Sequence, residues 1–497
     1  MNLEKQLERY IREEAEKLIE RHHTYHNSLH REHERLQKRL AGAPGKVIMV
    51  PDYWDLDPKF NPFYVRRKSK AIARSISLKI KDQSYIPQTP HIKEIDKAGG
   101  GKRSLTIYQI PDAAVSQLFY TRLLAKNKHR FSSFSYAYRN DRNVHFAIQD
   151  ISVDISQDAR TFIAEFDFSD FFGSIDHMSL FEQFSKNGFF ISEEEIFVIK
   201  AFLSMRNRGI PQGTSISLFL ANLVCWSLDN KLEKAGLKFA RYADDTVIWS
   251  PDYASICHAL EIINTFSVQA GVEINSKKSD GISLLSKDGN RAEMVSKPNF
   301  SFLGYSISPD KVSIKKKSVQ RIKKQISYLL YKNLIKPLES APLKALVIPS
   351  NNRDPALLSA MLQVRRYLYG GLLHKEIIEY IQGRRPVILF KGAMSFYPLL
   401  NDEKQLKELD GWLLSVLHRA LKKRSELLLT HKFNVRKNFP FSVPRDKLVV
   451  ACRRKLVGGK PLMEVPSFTL IFKALKKGLN EHGIERVMNP KSLYYDY

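Results

Sequence analysis

Two adjacent carboxylates, Asp244 and Asp245, sit inside the run Arg241-Tyr242-Ala243-Asp244-Asp245-Thr246-Val247-Ile248-Trp249, between two strand-like stretches. Such a pair in an apolar setting is costly, because like charges repel and both lose hydration. Two readings remain: a solvated turn, or a site for a divalent cation. A third carboxylate, Asp167, ends the apolar run Phe162-Ile163-Ala164-Glu165-Phe166 and opens Phe168-Ser169-Asp170-Phe171-Phe172-Gly173. Mg²⁺ is a hard ion that takes carboxylate and phosphate oxygens in octahedral geometry. Phosphoryl transfer by two metals needs them about 3.5–4 Å apart, one activating a hydroxyl and one holding a triphosphate. A strand-end Asp beside a hairpin-tip Asp-Asp can supply the bridging ligands.

The wider pattern narrows this chemistry. Tyr242-Ala243-Asp244-Asp245 resembles the Tyr-X-Asp-Asp box of reverse transcriptases, and Asp167 to Phe172 resembles their first palm motif, an Asp followed by paired aromatics. Further motifs follow in the family's order. Gly99-Gly100-Gly101-Lys102-Arg103-Ser104-Leu105 resembles the fingers motif that clamps the triphosphate. Gly209-Ile210-Pro211-Gln212-Gly213 resembles the Pro-Gln-Gly box. Gly271-Val272-Glu273-Ile274-Asn275 with Lys278 resembles the Gly-X-X-X-Asn-X-X-Lys element, and Phe302-Leu303-Gly304-Tyr305 the turn of the primer grip. Any one of these alone reads as a turn or a basic loop. Six in order across residues 97–305 do not.

The resemblance implies a right-hand polymerase: fingers and palm built on an antiparallel palm sheet, α+β in class, then an all-helical thumb and C-terminal domain. It implies catalysis by Asp167, Asp244 and Asp245, two Mg²⁺ ions held by these residues, and a metal-contacting position at Phe168. The incoming dNTP is expected against Lys102, Arg103, Phe172, Gln212, Gly213 and Lys278. Glycines let the backbone approach phosphates, and the two cations offset triphosphate charge. In this family a bulky Phe172 crowds the sugar's 2′ position and favours deoxyribose. Catalysis of this kind is mostly positioning and electrostatics.

The elements that must position these residues follow from periodicity. Residues 2–40 read as one helix, with Leu3, Leu7, Ile11, Leu18, Leu29 and Leu36 at helical spacing. Gly42-Ala43-Pro44-Gly45 stops it. His22, His26, His30 and His33 share a face of that helix and read as part of its solvated basic surface. Short β-rich runs alternate with helical stretches from 46 to 310. From 311 to 497 the pattern turns helical and basic, with an apolar stripe at Val319, Ile322, Ile326 and Leu329. The expected domains are therefore a helical arm (1–45), fingers and palm (46–310) and a thumb and C-terminal domain (311–497).

Composition sets the partners. The 497 residues are 43% hydrophobic, enough for a substantial core, and the formal net charge is +27. That excess favours a polyanion, nucleic acid above all; the resemblance implies which partners, an RNA template, a structured noncoding RNA, the DNA product and the dNTPs. Three scattered cysteines, Cys225, Cys257 and Cys452, fit neither a disulfide framework nor a zinc site. With no apolar span or secretory leader in the pattern, the expectation is a cytoplasmic protein that needs no membrane. The long N-terminal helix is a candidate for self-association.

Within the family, Phe131-Ser132-Ser133-Phe134-Ser135-Tyr136-Ala137-Tyr138-Arg139 and the helix at Asp410-Gly411-Trp412 are similar to bacterial unknown-group and abortive-infection reverse transcriptases, antiphage defence enzymes with a helical C-terminal region. Some of these prime from a protein tyrosine, which makes Tyr494, Tyr495 and Tyr497 candidate primers. The alternatives are a group II intron-type reverse transcriptase and maturase, or a non-catalytic RNA-binding scaffold. The intact carboxylate set argues against the scaffold.

Overall fold

The computed structural model describes residues 2–37, 45–96, 102–157, 160–276, 279, 281–286, 295–340, 354–454, 456–457, 460–461 and 463–487. The chain divides into two compact units. The first comprises Met1–Asn27 and Ile48–Pro298, the second Ser28–Val47 and Asn299–Tyr497.

In the first unit, α1 (Leu3–Gln37) contributes its early turns, where Leu3, Leu7, Ile11, Ala15 and Ile19 form the buried stripe. Helix α2 (Pro62–Lys81) starts at Asn61, whose side chain accepts from the Phe63 and Tyr64 amides, with Pro62 at the first helical position. An antiparallel hairpin, β1 (His91–Asp96) and β2 (Lys102–Ile107), follows. Then come α3 (Ile110–Asn127), α4 (Val144–Gln157), β3 (Thr161–Phe166), β4 (Phe168–Ser169), the short α5 (Phe171–Ser174), α6 (His177–Lys186), α7 (Glu193–Leu203), α8 (Ser215–Lys234), β5 (Lys238–Tyr242), β6 (Asp245–Ser250) and α9 (Tyr253–Ala270). The unit closes with β7 (Glu273–Ile274), β8 (Gly281–Leu285) and β9 (Ser296–Lys297).

The main sheet runs in the order β5-β6-β3-β8-β9. Its first four strands are antiparallel, as expected, while β9 joins the edge in parallel. Strand β3 is its centre. Phe162, Ile163, Ala164 and Phe166 are all buried, which is how a strand covered on both faces reads in sequence. Helices α8 and α9 supply much of that cover through Phe219, Leu223, Leu228, Ile263 and Phe266.

The second unit begins with a three-stranded antiparallel sheet, β10 (Phe300–Phe302), β11 (Tyr305–Ile307) and β12 (Val312–Ile314). The Phe302-to-Tyr305 turn carries Leu303 at φ 46 and Gly304 at φ 86, the left-handed pair of a type I′ hairpin. Helices follow: α10 (Lys316–Leu330), α11 (Lys336–Ser340), α12 (Pro355–Tyr369), α13 (His374–Ile381), α14 (Glu403–Thr430), α15 (Leu448–Arg454) and α16 (Phe468–His482). From residue 311 onwards the described residues form helices and connecting loops apart from β12 and a two-residue strand pair at Leu456–Val457 and Lys460–Pro461.

Two polar anchors hold these helices. Arg424, buried in α14, donates to both carboxylate oxygens of Asp354 (2.6 and 3.1 Å) and to the Leu334 carbonyl (2.9 Å). Asp410 accepts from the Ser467 hydroxyl and from the Phe468 and Thr469 amides, so one side chain of α14 caps the start of α16. The Asp410-to-Arg424 stretch also buries Leu413, Leu417 and Ala420.

Candidate active site

The sheet brings the acidic residues to one end. In the ladder Phe166 of β3 faces Thr246 of β6. Asp167 follows Phe166, and Asp245 precedes Thr246. In the β5–β6 hairpin Tyr242 faces Asp245, which leaves Ala243 and Asp244 as the two-residue turn. Ala243 adopts φ 61, a left-handed conformation that a hairpin of this length demands and that costs a non-glycine residue about 1–2 kcal/mol. Strain of this kind persists only where the surroundings over-determine it.

Here the surroundings are a buried ion pair. Arg241, fully buried in β5, donates from Nε and Nη2 to the two carboxylate oxygens of Asp229 in α8, at 2.7 and 2.6 Å. Its Nη1 donates to the Ala243 carbonyl (3.0 Å) and to Asn222 Oδ1 (3.2 Å), and Nη2 also donates to the Ser135 hydroxyl (2.7 Å). Burial works against the guanidinium's charge, but the facing Asp229 carboxylate outweighs it and holds the group above its ordinary pKa. The main chain of Arg241 exchanges hydrogen bonds with Phe134 and Tyr136. The segment 131–139, matched only by its pattern in the sequence, thus braces the strand that ends in the acidic turn. Neither Arg241 nor Asp229 stands out in the sequence as a functional residue.

Asp167 is fixed from the other side. Its carbonyl accepts from the Asn275 amide (2.8 Å), its amide donates to the Ser279 hydroxyl (3.3 Å), and the Asn275 side chain reaches Oδ2 at 3.5 Å. The asparagine of the Gly271-to-Lys278 element therefore sits against the strand-end carboxylate. Asp170 and Asp176 have local roles: Asp170, at φ 43, precedes α5, and Asp176 caps α6 by accepting from the Ser179 amide.

Phe172 is 8% exposed, and its ring meets Phe171 at 5.9 Å and the edge of Tyr138 at 6.4 Å. Tyr138 also lies 6.5 Å from the Tyr242 ring. The 209–213 loop is tied to the same place by the Ile210 amide donating to the Phe172 carbonyl (2.6 Å) and the Gly209 amide to the Ile175 carbonyl (2.8 Å). At its far end the Thr106 amide of β2 donates to the Gln212 carbonyl (3.0 Å). Gly213, at φ 116, leaves no room for a side chain, because a Cβ would overlap the Thr106 carbonyl oxygen. Gly213→Ala is expected to cost about 1–3 kcal/mol of stability by overpacking and to lower nucleotide incorporation more than it lowers folded protein. Thermal unfolding alongside an incorporation assay checks this.

The remaining expected residues are placed less completely. Lys102 is exposed on β2 and pairs with Glu94 across the hairpin at 2.6 Å. An exposed pair of this kind is worth roughly 0–1 kcal/mol, so it does not prevent Lys102 from turning to a phosphate. Arg103 faces Ile95 in the β1–β2 ladder. Gly99, Gly100, Gly101, Lys278, Tyr494, Tyr495 and Tyr497 lie outside the described residues.

The donor set fits a hard divalent cation in kind: three carboxylates at the same end of neighbouring strands. The Phe168 ring is buried against Phe171 and Phe266, so only its main-chain carbonyl could face an ion. Among the described residues no three Asp, Glu, His or Cys side chains converge closely enough to cage an ion as they stand. The strand ends, rather than the rotamers, carry the match.

Comparison with known proteins finds a family domain over part of the chain. The family described as reverse transcriptase (RNA-dependent DNA polymerase) matches residues 95–307. The chain carries a reverse transcriptase domain. With it come the right-hand polymerase fold and the class of RNA-directed DNA polymerases. The retron Ec86 reverse transcriptase of Escherichia coli is 26% identical over 242 residues, covering 48% of this chain and 69% of that one. An uncharacterized 91 kDa protein in the cob intron of Schizosaccharomyces pombe is 31% identical over 172 residues, covering 33% of this chain and 21% of that one. Among solved structures, Candida albicans telomerase in complex with an RNA fragment is 14% identical, covers 70% of this chain and 65% of that one, and has a TM-score of 0.38. Reverse transcriptases use divalent metal ions, in keeping with the carboxylates of this domain. Among the described residues no helix is long and apolar enough to cross a membrane.

Proposed function

We propose that this protein copies an RNA template into DNA by two-metal nucleotidyl transfer, with Asp167, Asp244 and Asp245 as the Mg²⁺ ligands. The observation that carries this reading is the placement of Asp167 and the Asp244-Asp245 turn at one end of paired strands within a reverse transcriptase domain. When bound, the two ions would lower the pKa of the primer 3′-hydroxyl and neutralise the departing pyrophosphate. The protein's own part is positioning. The Arg241 network sets the turn and Asn275 sets Asp167. Gln212 and Gly213 shape the floor beneath the nucleotide, and Lys102, Arg103 and Lys278 meet its phosphates. In this reading residues 46–310 act as fingers and palm, 311–497 as thumb and C-terminal domain, and 1–45 as an arm.

Phe172 is the sugar discriminator. Its ring is held by Phe171 and Tyr138, so it cannot swing aside without leaving both rings. Phe172→Ala should raise incorporation of ribonucleotides relative to deoxyribonucleotides by at least about tenfold, the scale of a steric clash in a pocket. Primer extension with each nucleotide type gives the ratio, and an unchanged ratio would remove Phe172 from this role.

The biological setting we propose is antiphage defence with a structured noncoding RNA partner. The +27 charge and the sequence likeness to defence-associated reverse transcriptases support it. A second reading, an intron-type maturase, draws support from the intron-encoded relative. Sequencing the RNA that co-purifies separates them: a short structured RNA favours defence, a self-splicing intron favours the maturase. Phage plating on cells carrying the wild type or Asp167→Asn then tests defence directly: a wild type that gives no protection contradicts it, and protection that survives the substitution contradicts a role for DNA synthesis in it.

A further inference from the structure

Helix α2 carries a row of cations for which the catalytic chemistry has no use. Between Pro62 and Lys81 the sequence has no acidic residue. The buried stripe is Val65, Ser69, Ala73, Ser77 and Ile80. Arg66, Arg67, Lys70, Arg74 and Lys81 are all exposed. At 3.6 residues per turn these five fall within an arc of roughly 100°, along a line of about 22 Å. Among the described residues none of the five makes an ion pair.

Helix α1 provides the contrast. Three of its cations are answered along the same helix, in Arg9–Glu13, Arg12–Glu8 and Lys17–Glu14. That is the ordinary pattern of a solvated helix face. On α2, five like charges stand side by side with no counter-charge on the helix, an arrangement that repels itself until a polyanion covers it.

We propose that this face of α2 grips the phosphate backbone of duplex RNA, at a site separate from the catalytic carboxylates. A nucleic-acid duplex presents about one charge per 1.7 Å of axis, so a line of about 22 Å faces on the order of a dozen phosphates. Single strands are held chiefly by aromatic stacking between cations. No aromatic residue lies between Arg66 and Lys81. Phe63, at the start of the helix, is engaged with Trp54 and His22. Recognition here is of shape and charge, without base reading. The inference rests on the RNA-copying reading for the identity of the polyanion, and it names how a structured RNA partner would be held.

The test is binding of a labelled hairpin RNA as a function of KCl concentration. It compares the wild type, a quadruple variant (Arg66→Gln, Lys70→Gln, Arg74→Gln, Lys81→Gln) and a control that removes paired cations from α1 (Arg9→Gln, Arg12→Gln, Lys17→Gln). Each phosphate that a cation no longer neutralises lowers the slope of log Kd against log salt by about 0.9. The slope should therefore fall by about 3–4 in the quadruple variant and stay unchanged in the control. Extension of a short primed template at saturating substrate should be equal in all three. An unchanged slope in the quadruple variant overturns the proposal, as does a fall of the same size in the control. Loss of binding to phosphatidylserine vesicles with hairpin binding intact would also overturn it and assign the face to a membrane surface. Binding is read without turnover, so an inactive wild type would count against the polymerase reading and leave this result standing.

Discussion

Asp244→Asn is expected to leave a folded protein that incorporates deoxynucleotides on the order of a thousandfold more slowly or worse. Asparagine keeps the size of the turn residue and its capacity to accept hydrogen bonds, so the β5–β6 hairpin should close as before. On the proposed mechanism the loss is one negative charge where an ion would be held and where charge would develop in the transition state. Removing a single preorganised electrostatic partner costs about 10²–10³ in rate in other enzymes, and an ion that loses a bridging ligand is weakened in more than one such role. Incorporation of labelled dNTP by matched amounts of folded protein measures it. A variant with more than a tenth of wild-type activity would take Asp244 out of the metal site.

The second large effect is structural. Asp229→Ala should destabilise the protein by about 3–5 kcal/mol, because it strands a buried guanidinium without its partner. Arg241 would lose both charge-assisted bonds to Asp229 and keep only those to Asn222, Ser135 and Ala243. Replacing both partners with apolar residues, Arg241→Met with Asp229→Leu, should recover much of the stability, since swaps of a whole buried pair are often neutral or better. Activity should not recover with it, because the Ala243 carbonyl would still lack its donor and the strained turn would be free to relax. Urea denaturation and incorporation assays on the single and double variants separate the two effects. A single variant within about 0.5 kcal/mol of wild type, the range of an ordinary surface change, would show that the pair does not hold the turn.

The sequence makes some of this plain and conceals the rest, for physical reasons. The carboxylates are legible because their chemistry is local. A strand that ends in Asp, and a strand-turn-strand with Asp-Asp at the tip, are short patterns with few other uses. Strands β3 and β6 are legible because a central strand buries nearly every side chain. The long helix at 3–37 is legible from its apolar spacing. The Arg241–Asp229 pair is hidden because its partners lie on different elements. An arginine flanked by Ala240 and Tyr242 also reads as an exposed strand position, where here it is fully buried. The link from Asn275 to Asp167 crosses 108 positions, and the Asp410 cap on α16 crosses more than fifty. Such contacts exist only once the chain has folded. The cation row on α2 is present in the sequence, and only the burial pattern and the paired cations of α1 separate it from an ordinary basic face.

The most direct measurement is incorporation of each labelled dNTP, supplied separately and then together, by protein purified with the RNA it retains, in Mg²⁺. The account predicts DNA whose sequence follows an RNA template when one is supplied with a primer, in Mg²⁺ and not in chelator, and no product from Asp244→Asn. Folded wild-type protein that binds primed RNA and incorporates none of the four nucleotides would contradict it.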